Sequence, residues 1–225
     1  MRLILKIGGS LLFKDGNIQV DLLNKYISII RELRSLGHII GVVVGGGYPA
    51  RQYTKAANQL GASNSYMDII GIEAAKQNAR LLISGIQEAH PIPPSNYNEL
   101  LLAISTSNLV IIGGLQPGQS TNAVAALFAE TLGADYLINL TDISKVYDMD
   151  PKLNKDAKPL DTLSYQEFSK IIQANPQVPS GYKLFDTLGV TIVERSKIKL
   201  VFINGNQPEK IKQIIKNEPV GTIIQ

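Results

Sequence analysis

Three glycine-rich turns carry the chemistry that this sequence can do. Lys6-Ile7-Gly8-Gly9-Ser10, Gly45-Gly46-Gly47 and Gly113-Gly114-Leu115-Gln116-Pro117-Gly118-Gln119-Ser120-Thr121 each close a short apolar run. A turn without Cβ lets backbone N–H groups approach an anion, and a helix N-terminus behind it adds the positive end of its dipole. Each turn is therefore a candidate phosphate cradle. One such turn is as well explained by a tight strand-to-helix connection, but three on one edge favour binding. Lys6 stands just before the first turn, where an ammonium can contact the oxygens of a phosphoryl group in flight. Asp142 follows the apolar run Tyr136–Leu140 and would face the same edge, close enough to orient Lys6 or a water on magnesium.

Two better-known phosphate motifs fail on inspection. Gly113 to Ser120 nearly spells G-x-x-x-x-G-K-[ST], but Gln119 stands where a lysine must neutralise phosphate charge. Gly45-Gly46-Gly47 lacks the G-x-G-x-x-G spacing, and no acidic residue ends the strand that should hold a ribose, which disfavours a dinucleotide fold. His38 and His90 are the only imidazoles and have no metal-ligand spacing. Phosphoryl transfer relies on positioning and charge neutralisation more than on acid–base groups, so it suits this inventory.

Alternating elements must position these turns. Apolar runs predict strands at Arg2–Ile7, Ile39–Val44, Leu109–Ile112, Tyr136–Leu140, Leu200–Ile203 and Thr222–Ile224. Helical spacing falls between them, at Val20–Leu36, Pro49–Leu60, Asp68–Ile86, Asn122–Leu132, Phe185–Arg195 and Pro208–Lys216. Strands so uniformly apolar imply a largely parallel sheet covered on both faces, and ligands bind such sheets at the carboxyl ends of the strands. His90–Ser95 reads as a proline-bearing loop. The polar stretch Pro151–Tyr182 reads as a lobe or flap. With no repeat or linker, residues 1–225 are expected to form one domain.

Composition narrows the partners. Of 225 residues, 44% are hydrophobic and 18% charged, a balance that excludes disorder. Lys plus Arg number 22 against 19 Asp plus Glu, so no strong field recruits a nucleic acid polymer or a membrane, and small anions are favoured. There are no cysteines, which removes disulfides, thiolate nucleophiles and zinc ribbons and fits a reducing compartment. No apolar run reaches the length of a signal core or a membrane span.

Taken together, Lys6 through Ser10, Val44-Gly45-Gly46-Gly47 with Arg51, Gly113 through Thr121, and Thr141 through Tyr147-Asp148-Met149-Asp150-Pro151 resemble the amino acid kinase family, in particular its archaeal branch that phosphorylates UMP. The likeness runs along essentially the whole chain, including Glu194-Arg195-Ser196-Lys197-Ile198-Lys199. It implies a three-layer α/β/α sandwich with a mainly parallel central sheet, transfer of the γ-phosphoryl of ATP to UMP with Mg2+, and a cytoplasmic homohexamer built as a trimer of dimers. It further implies that Gly9, Ser10, Gly47 and Arg51 serve the phosphate side of ATP and that Thr141, Tyr147 and Asp150 hold its adenosine half. Gly46 would meet the UMP phosphate. Asp68, opening its helix, would accept from the ribose hydroxyls, and Leu115, Gln116, Pro117, Gly118, Gln119, Ser120 and Thr121 would wrap the uridine. Asp186 matches a family aspartate near the phosphates, whereas Lys183 has no secure counterpart.

One stretch departs from the family pattern. Where Thr-Asn-Val-Asp-Gly-Val-Tyr is usual, this chain reads Thr141-Asp142-Ile143-Ser144-Lys145-Val146-Tyr147. The carboxylate has moved two residues upstream, and Asp142 is expected to take over the organising role, as in the similar Ser-Asp-Val-Ser arrangement of acetylglutamate kinases. The absence of Gly-His after the glycine triplet separates the chain from isopentenyl phosphate kinases. The alternatives are a kinase of the same fold with another small acceptor, such as isopentenyl phosphate or an acylamino acid, or a member that binds a nucleotide or oxyanion without turnover.

Overall fold

The computed structural model describes residues 1–151, 153–174 and 184–225. Its strands are β1 (Arg2–Ile7), β2 (Phe13–Lys14), β3 (Asn17–Ile18), β4 (Ile39–Val44), β5 (Leu109–Ile112), β6 (Tyr136–Thr141), β7 (Val146–Tyr147), β8 (Pro159–Leu160), β9 (Thr162–Leu163), β10 (Lys199–Asn204) and β11 (Thr222–Ile224). Its helices are α1 (Val20–Ser35), α2 (Gly47–Gln59), α3 (Asn64–Ser84), α4 (Tyr97–Thr106), α5 (Thr121–Leu132), α6 (Tyr165–Ala174), α7 (Thr187–Arg195) and α8 (Ile211–Ile215). The main sheet has seven strands in the order β5-β4-β1-β6-β10-β11-β9. Only β11 runs antiparallel to its neighbour β10; the other pairings are parallel.

Strand alternation divides the core into two layers. Leu3, Leu5 and Ile7 of β1, with Val42 and Val44 of β4, face Leu22, Tyr26, Ile30 and Leu33 of α1, Leu82 of α3 and Ile211 of α8. Ile4, Val43, Leu137 and Phe202 face α5, α6 and α7 through Phe128, Phe168 and Val190. The sheet is thus covered on both sides, as its apolar strands predict. Lys6 is the next residue after Ile4 on the α5 and α7 side, at the carboxyl end of β1, between β4 and β6.

Several boundaries shift for reasons of capping. Ser63 accepts from the Tyr66 N–H and starts α3 at Asn64, so Asp68 lies in the second turn rather than opening its helix. The Asp186 carboxylate accepts from the Gly189 N–H at 2.9 Å and starts α7 two residues later than the apolar pattern suggests. The Pro208–Lys216 helix resolves into a 3-10 turn, Pro208–Lys210, followed by α8. Of the stretch expected to form a lobe, β8 pairs with β7 in a separate two-stranded ladder, while β9 and α6 join the main body. There β9 pairs with β11, and the Phe168 ring of α6 packs on Phe185 and Phe202. Lys152 and residues 175–183, which include Lys183, lie outside the described residues.

Candidate active site

The first two glycine turns are pressed together, backbone against backbone. A Cβ on Gly9 would stand 2.3 Å from the Gly47 nitrogen and 2.7 Å from the Gly45 carbonyl group. Gly47 adopts φ +64, and a Cβ there would meet the Gly9 oxygen at 2.4 Å. The strand ends are tied by the Gly45 N–H donating to Ile7 O and the Gly8 N–H donating to Leu140 O. Buried Asn78 of α3 donates from Nδ2 to the carbonyls of Gly45 and Gly46, at 2.8 and 3.1 Å. That staple ties the turn to α3, and the Gly47 N–H, as the first of α2, has no intrahelical acceptor.

The third turn joins the same edge. Thr121 Oγ1 lies 3.6 Å from where a Cβ of Gly45 would stand. Ser120 caps α5, its hydroxyl accepting from the Asn122 and Ala123 N–H groups. The helix dipole expected behind every turn is present at α2 and α5 but not after β1. There a 3-10 turn, Gly9–Leu12, and the β2–β3 hairpin intervene before α1.

Two carboxylates flank Lys6. Burial lowers its ammonium pKa to about 8, opposed first by Asp186 and then by Asp142. Among the described residues Lys6 makes no direct ion pair, so its charge is held by these carboxylates at longer range. The Ser120 hydroxyl donates to Asp186 Oδ2, so one carboxylate joins the first turns of α5 and α7. Asp142 is exposed and accepts from the Thr141 hydroxyl at 3.0 Å. Of the two carboxylates, Asp186 opposes the loss of charge at Lys6 more strongly than Asp142 does.

If Lys6 must carry its proton to act, activity falls as pH rises through its pKa, and removing an opposing negative charge lowers that pKa further. Asp186→Asn keeps an oxygen to cap α7 but deletes the charge. The alkaline limb of its kcat/KM profile should move to lower pH, with the loss relative to the parent growing to about tenfold on the alkaline side. A limb that stays in place would break the link between Asp186 and Lys6.

Asp68 and the third turn close on each other. The Gly118 N–H donates to Asp68 Oδ2 at 2.9 Å. Beside this contact a cleft of about 160 Å3 is lined by Thr54, Asp68, Gly71, Gly114, Gln119 and Thr121. Gln119 also borders a second cleft of about 330 Å3 with Asn96, Tyr97, Leu115 and Gln116. Gly118 and Pro117 sit exposed at the tip of the turn, while Leu115 is buried. A larger groove of about 800 Å3 lies away from the glycine turns, lined by Tyr136 and Lys199 at the starts of β6 and β10 and by Lys210 and Glu218.

The segment after β6 forms the other flank. Tyr147 lies in the β7–β8 ladder, and Asp150 is buried in the following turn, its carbonyl accepting from the Asn154 N–H. Buried Thr222 fixes the ladder by accepting from the Val146 N–H and donating to Leu160 O. Lys145, which stands where the family has glycine, pairs with Asp161 and lines the large groove, away from Lys6. Arg51 is exposed on α2, and Ser10 is exposed in the 3-10 turn after Gly9. Sequence reasoning missed Asn78 and Thr222. The only signal for Asn78 is a polar residue within the buried stripe of α3.

Residues 1–204 match the profile described as the amino acid kinase family. The chain is 44% identical over 204 residues, 90% of each protein, to a uridylate kinase of Hyperthermus butylicus. It is 40% identical over 229 residues to one from Sulfurisphaera tokodaii, spanning 100% of this chain and 99% of that protein. The crystal structure of uridylate kinase from Archaeoglobus fulgidus superposes with a TM-score of 0.89 at 38% identity, covering both chains completely. The chain belongs to the amino acid kinase family.

Proposed function

We propose that this protein is a UMP kinase, which moves the γ-phosphoryl group of ATP to a phosphate oxygen of UMP and yields UDP and ADP. The observation that carries the assignment is the cleft beside the glycine turns, where Asp68, Gln119 and Thr121 converge next to the edge that holds Lys6. Full-length relatives that are uridylate kinases support the same acceptor.

In the reaction an oxygen of the UMP phosphate attacks the γ-phosphorus and the bond to the bridging oxygen of ADP breaks. The nucleophile is already anionic, so no general base is required. Lys6 is assigned to the oxygens of the group in transit. Its protonated form is the one that neutralises the shifting charge, and approaching phosphates favour that form. Gly9, Ser10, Gly47 and Arg51 are assigned to the ATP phosphates, Gly46 to the UMP phosphate, and Thr141, Tyr147 and Asp150 to the adenosine half. ATP enters as its magnesium complex, with phosphate oxygens and water as the metal's ligands. Leu115 through Thr121 receive the uridine.

The Asp68 carboxylate is assigned to the ribose hydroxyls, Oδ2 being already engaged by Gly118. A site built to bond a hydroxyl rejects an analogue that leaves its polar atom unpaired. Asp68→Ala should therefore raise the KM for UMP and erode the preference for UMP over deoxy-UMP. Losing a hydrogen bond to a charged group, about 1.5–3 kcal/mol, corresponds to roughly ten- to a hundredfold. Steady-state kinetics with both acceptors decides the point, and an unchanged ribose preference would remove Asp68 from the ribose site.

The reading extends to assembly and place. Tyr53, Tyr66 and Ile69 are exposed on α2 and α3 and border an apolar groove of about 450 Å3, a surface suited to self-association in a hexamer made of dimers. Among the described residues no helix is long and apolar enough to cross a membrane, and the cysteine-free chain suits the cytoplasm, where a pyrimidine nucleotide enzyme would work.

A further inference from the structure

Asn139 is the one polar residue in the buried part of β6. It is 1% exposed, and its amide oxygen has no hydrogen-bond partner among the described residues. In the sheet register it stands opposite Lys6 on β1 and Phe202 on β10. Parallel partners point to the same face, so the Asn139 amide shares the α5 and α7 side with the Lys6 side chain. Along its own strand the neighbours on that face are Leu137 and Thr141. Leu137 and Phe202 have no side-chain N–H or O–H, and the Thr141 hydroxyl already donates to Asp142. Of these neighbours, Lys6 alone has donors to give.

A buried amide oxygen without a donor is costly, and leucine or valine would fill the same place without that cost. Its presence beside the one lysine of β1 calls for a use in the reaction. We propose that Asn139 is a positioning residue for Lys6, its side-chain oxygen accepting from the ammonium and holding it at the strand end as the phosphoryl group passes. The amide oxygen is left open for this contact by its own strand neighbours, none of which donates to it. Asp186 and Asp142 supply negative charge to Lys6 at longer range, and Asn139 supplies a neutral acceptor from beneath. This inference rests on Lys6 acting in the kinase reaction.

The test is kcat, KM and the pH profile for the parent, Asn139→Leu, Asn139→Asp and Lys6→Met. Asn139→Leu should lower kcat by about tenfold and leave KM for UMP and ATP within about twofold. The alkaline limb of its profile should move to lower pH, because an acceptor that favours the charged lysine is gone. Asn139→Asp should move the limb the other way. A purely structural role would not produce opposite shifts. In the Lys6→Met background, Asn139→Leu should cost nothing further in kcat. A loss confined to KM, a limb that stays fixed in both variants, or an undiminished loss in the Lys6→Met background would overturn the proposal. If Lys6→Met itself kept parental turnover, the role of Lys6 would fail first, and that result is distinct from an inert Asn139.

Discussion

Lys6→Met should lower turnover by at least roughly a hundredfold, the equivalent of about 3–4 kcal/mol of transition-state contact, while KM for UMP changes little. Methionine nearly matches the length of the lysine stem, so the packing along β1 survives and the charge alone is lost. The effect should fall on kcat because the ammonium is needed most while charge shifts between the γ-phosphorus and the departing ADP. Burial already costs this ammonium stability, as its lowered pKa of about 8 records, and two carboxylates stand near it. A lysine that served only solubility would not be kept in such a place. Turnover within about threefold of the parent, below 1 kcal/mol, would show that the transferring group does not depend on this charge.

The second large effect is expected at Gly9→Ala. The added methyl would lie 2.3 Å from the Gly47 nitrogen and 2.7 Å from the Gly45 carbonyl carbon and oxygen, all backbone atoms that cannot rotate away. Overpacking of this kind costs about 1–3 kcal/mol, which in a chain of this size lowers Tm by roughly 2–12 °C. Function should suffer more than stability. Parting the turns by even about 1 Å misplaces the groups around the phosphates and can reduce turnover by about a hundredfold. Gly71→Ala is the control for stability, since a Cβ there meets nothing within 4 Å and the residue lies inside α3. Its Tm should hold or rise. Thermal denaturation of both variants and kcat of Gly9→Ala check this, and a Gly9→Ala protein with parental Tm and turnover would mean that the turns need not touch.

Strands and their ends were legible because they depend on local patterns. β1, β4, β5 and β11 fall on the residues that uniform apolar runs indicate, since a strand covered on both faces leaves no room for polar interruptions. Other local signals went unread. Asn96 and Glu99 form a capping box that starts α4, with the Asn96 side chain accepting from the Glu99 N–H and the Glu99 carboxylate accepting from the Ser95 N–H. Ser164 and Glu167 repeat it at α6. Asp15-Gly16, both at positive φ, spell the tight turn between β2 and β3. What could not be read is pairing across the fold. Gly118 with Asp68 and Ser120 with Asp186 are 50 and 66 residues apart, and each contact exists only because helices from different crossovers end at one edge. Spacing showed that three glycine turns lie on that edge. It did not show that the first two touch, nor that Asp186 outweighs Asp142 beside Lys6.

The choice of acceptor is read from ADP formation from magnesium ATP with UMP, CMP, AMP and a panel of small carboxylic and phosphate acids. Purine nucleotides should be excluded by size. CMP presents an amino donor where UMP presents a carbonyl acceptor, so a loop N–H aimed at that position discriminates between them more sharply than size could. UMP should give the highest kcat/KM, with UDP appearing in step with ADP. Equal use of CMP, preference for another acceptor, or nucleotide binding without any ADP release would contradict it.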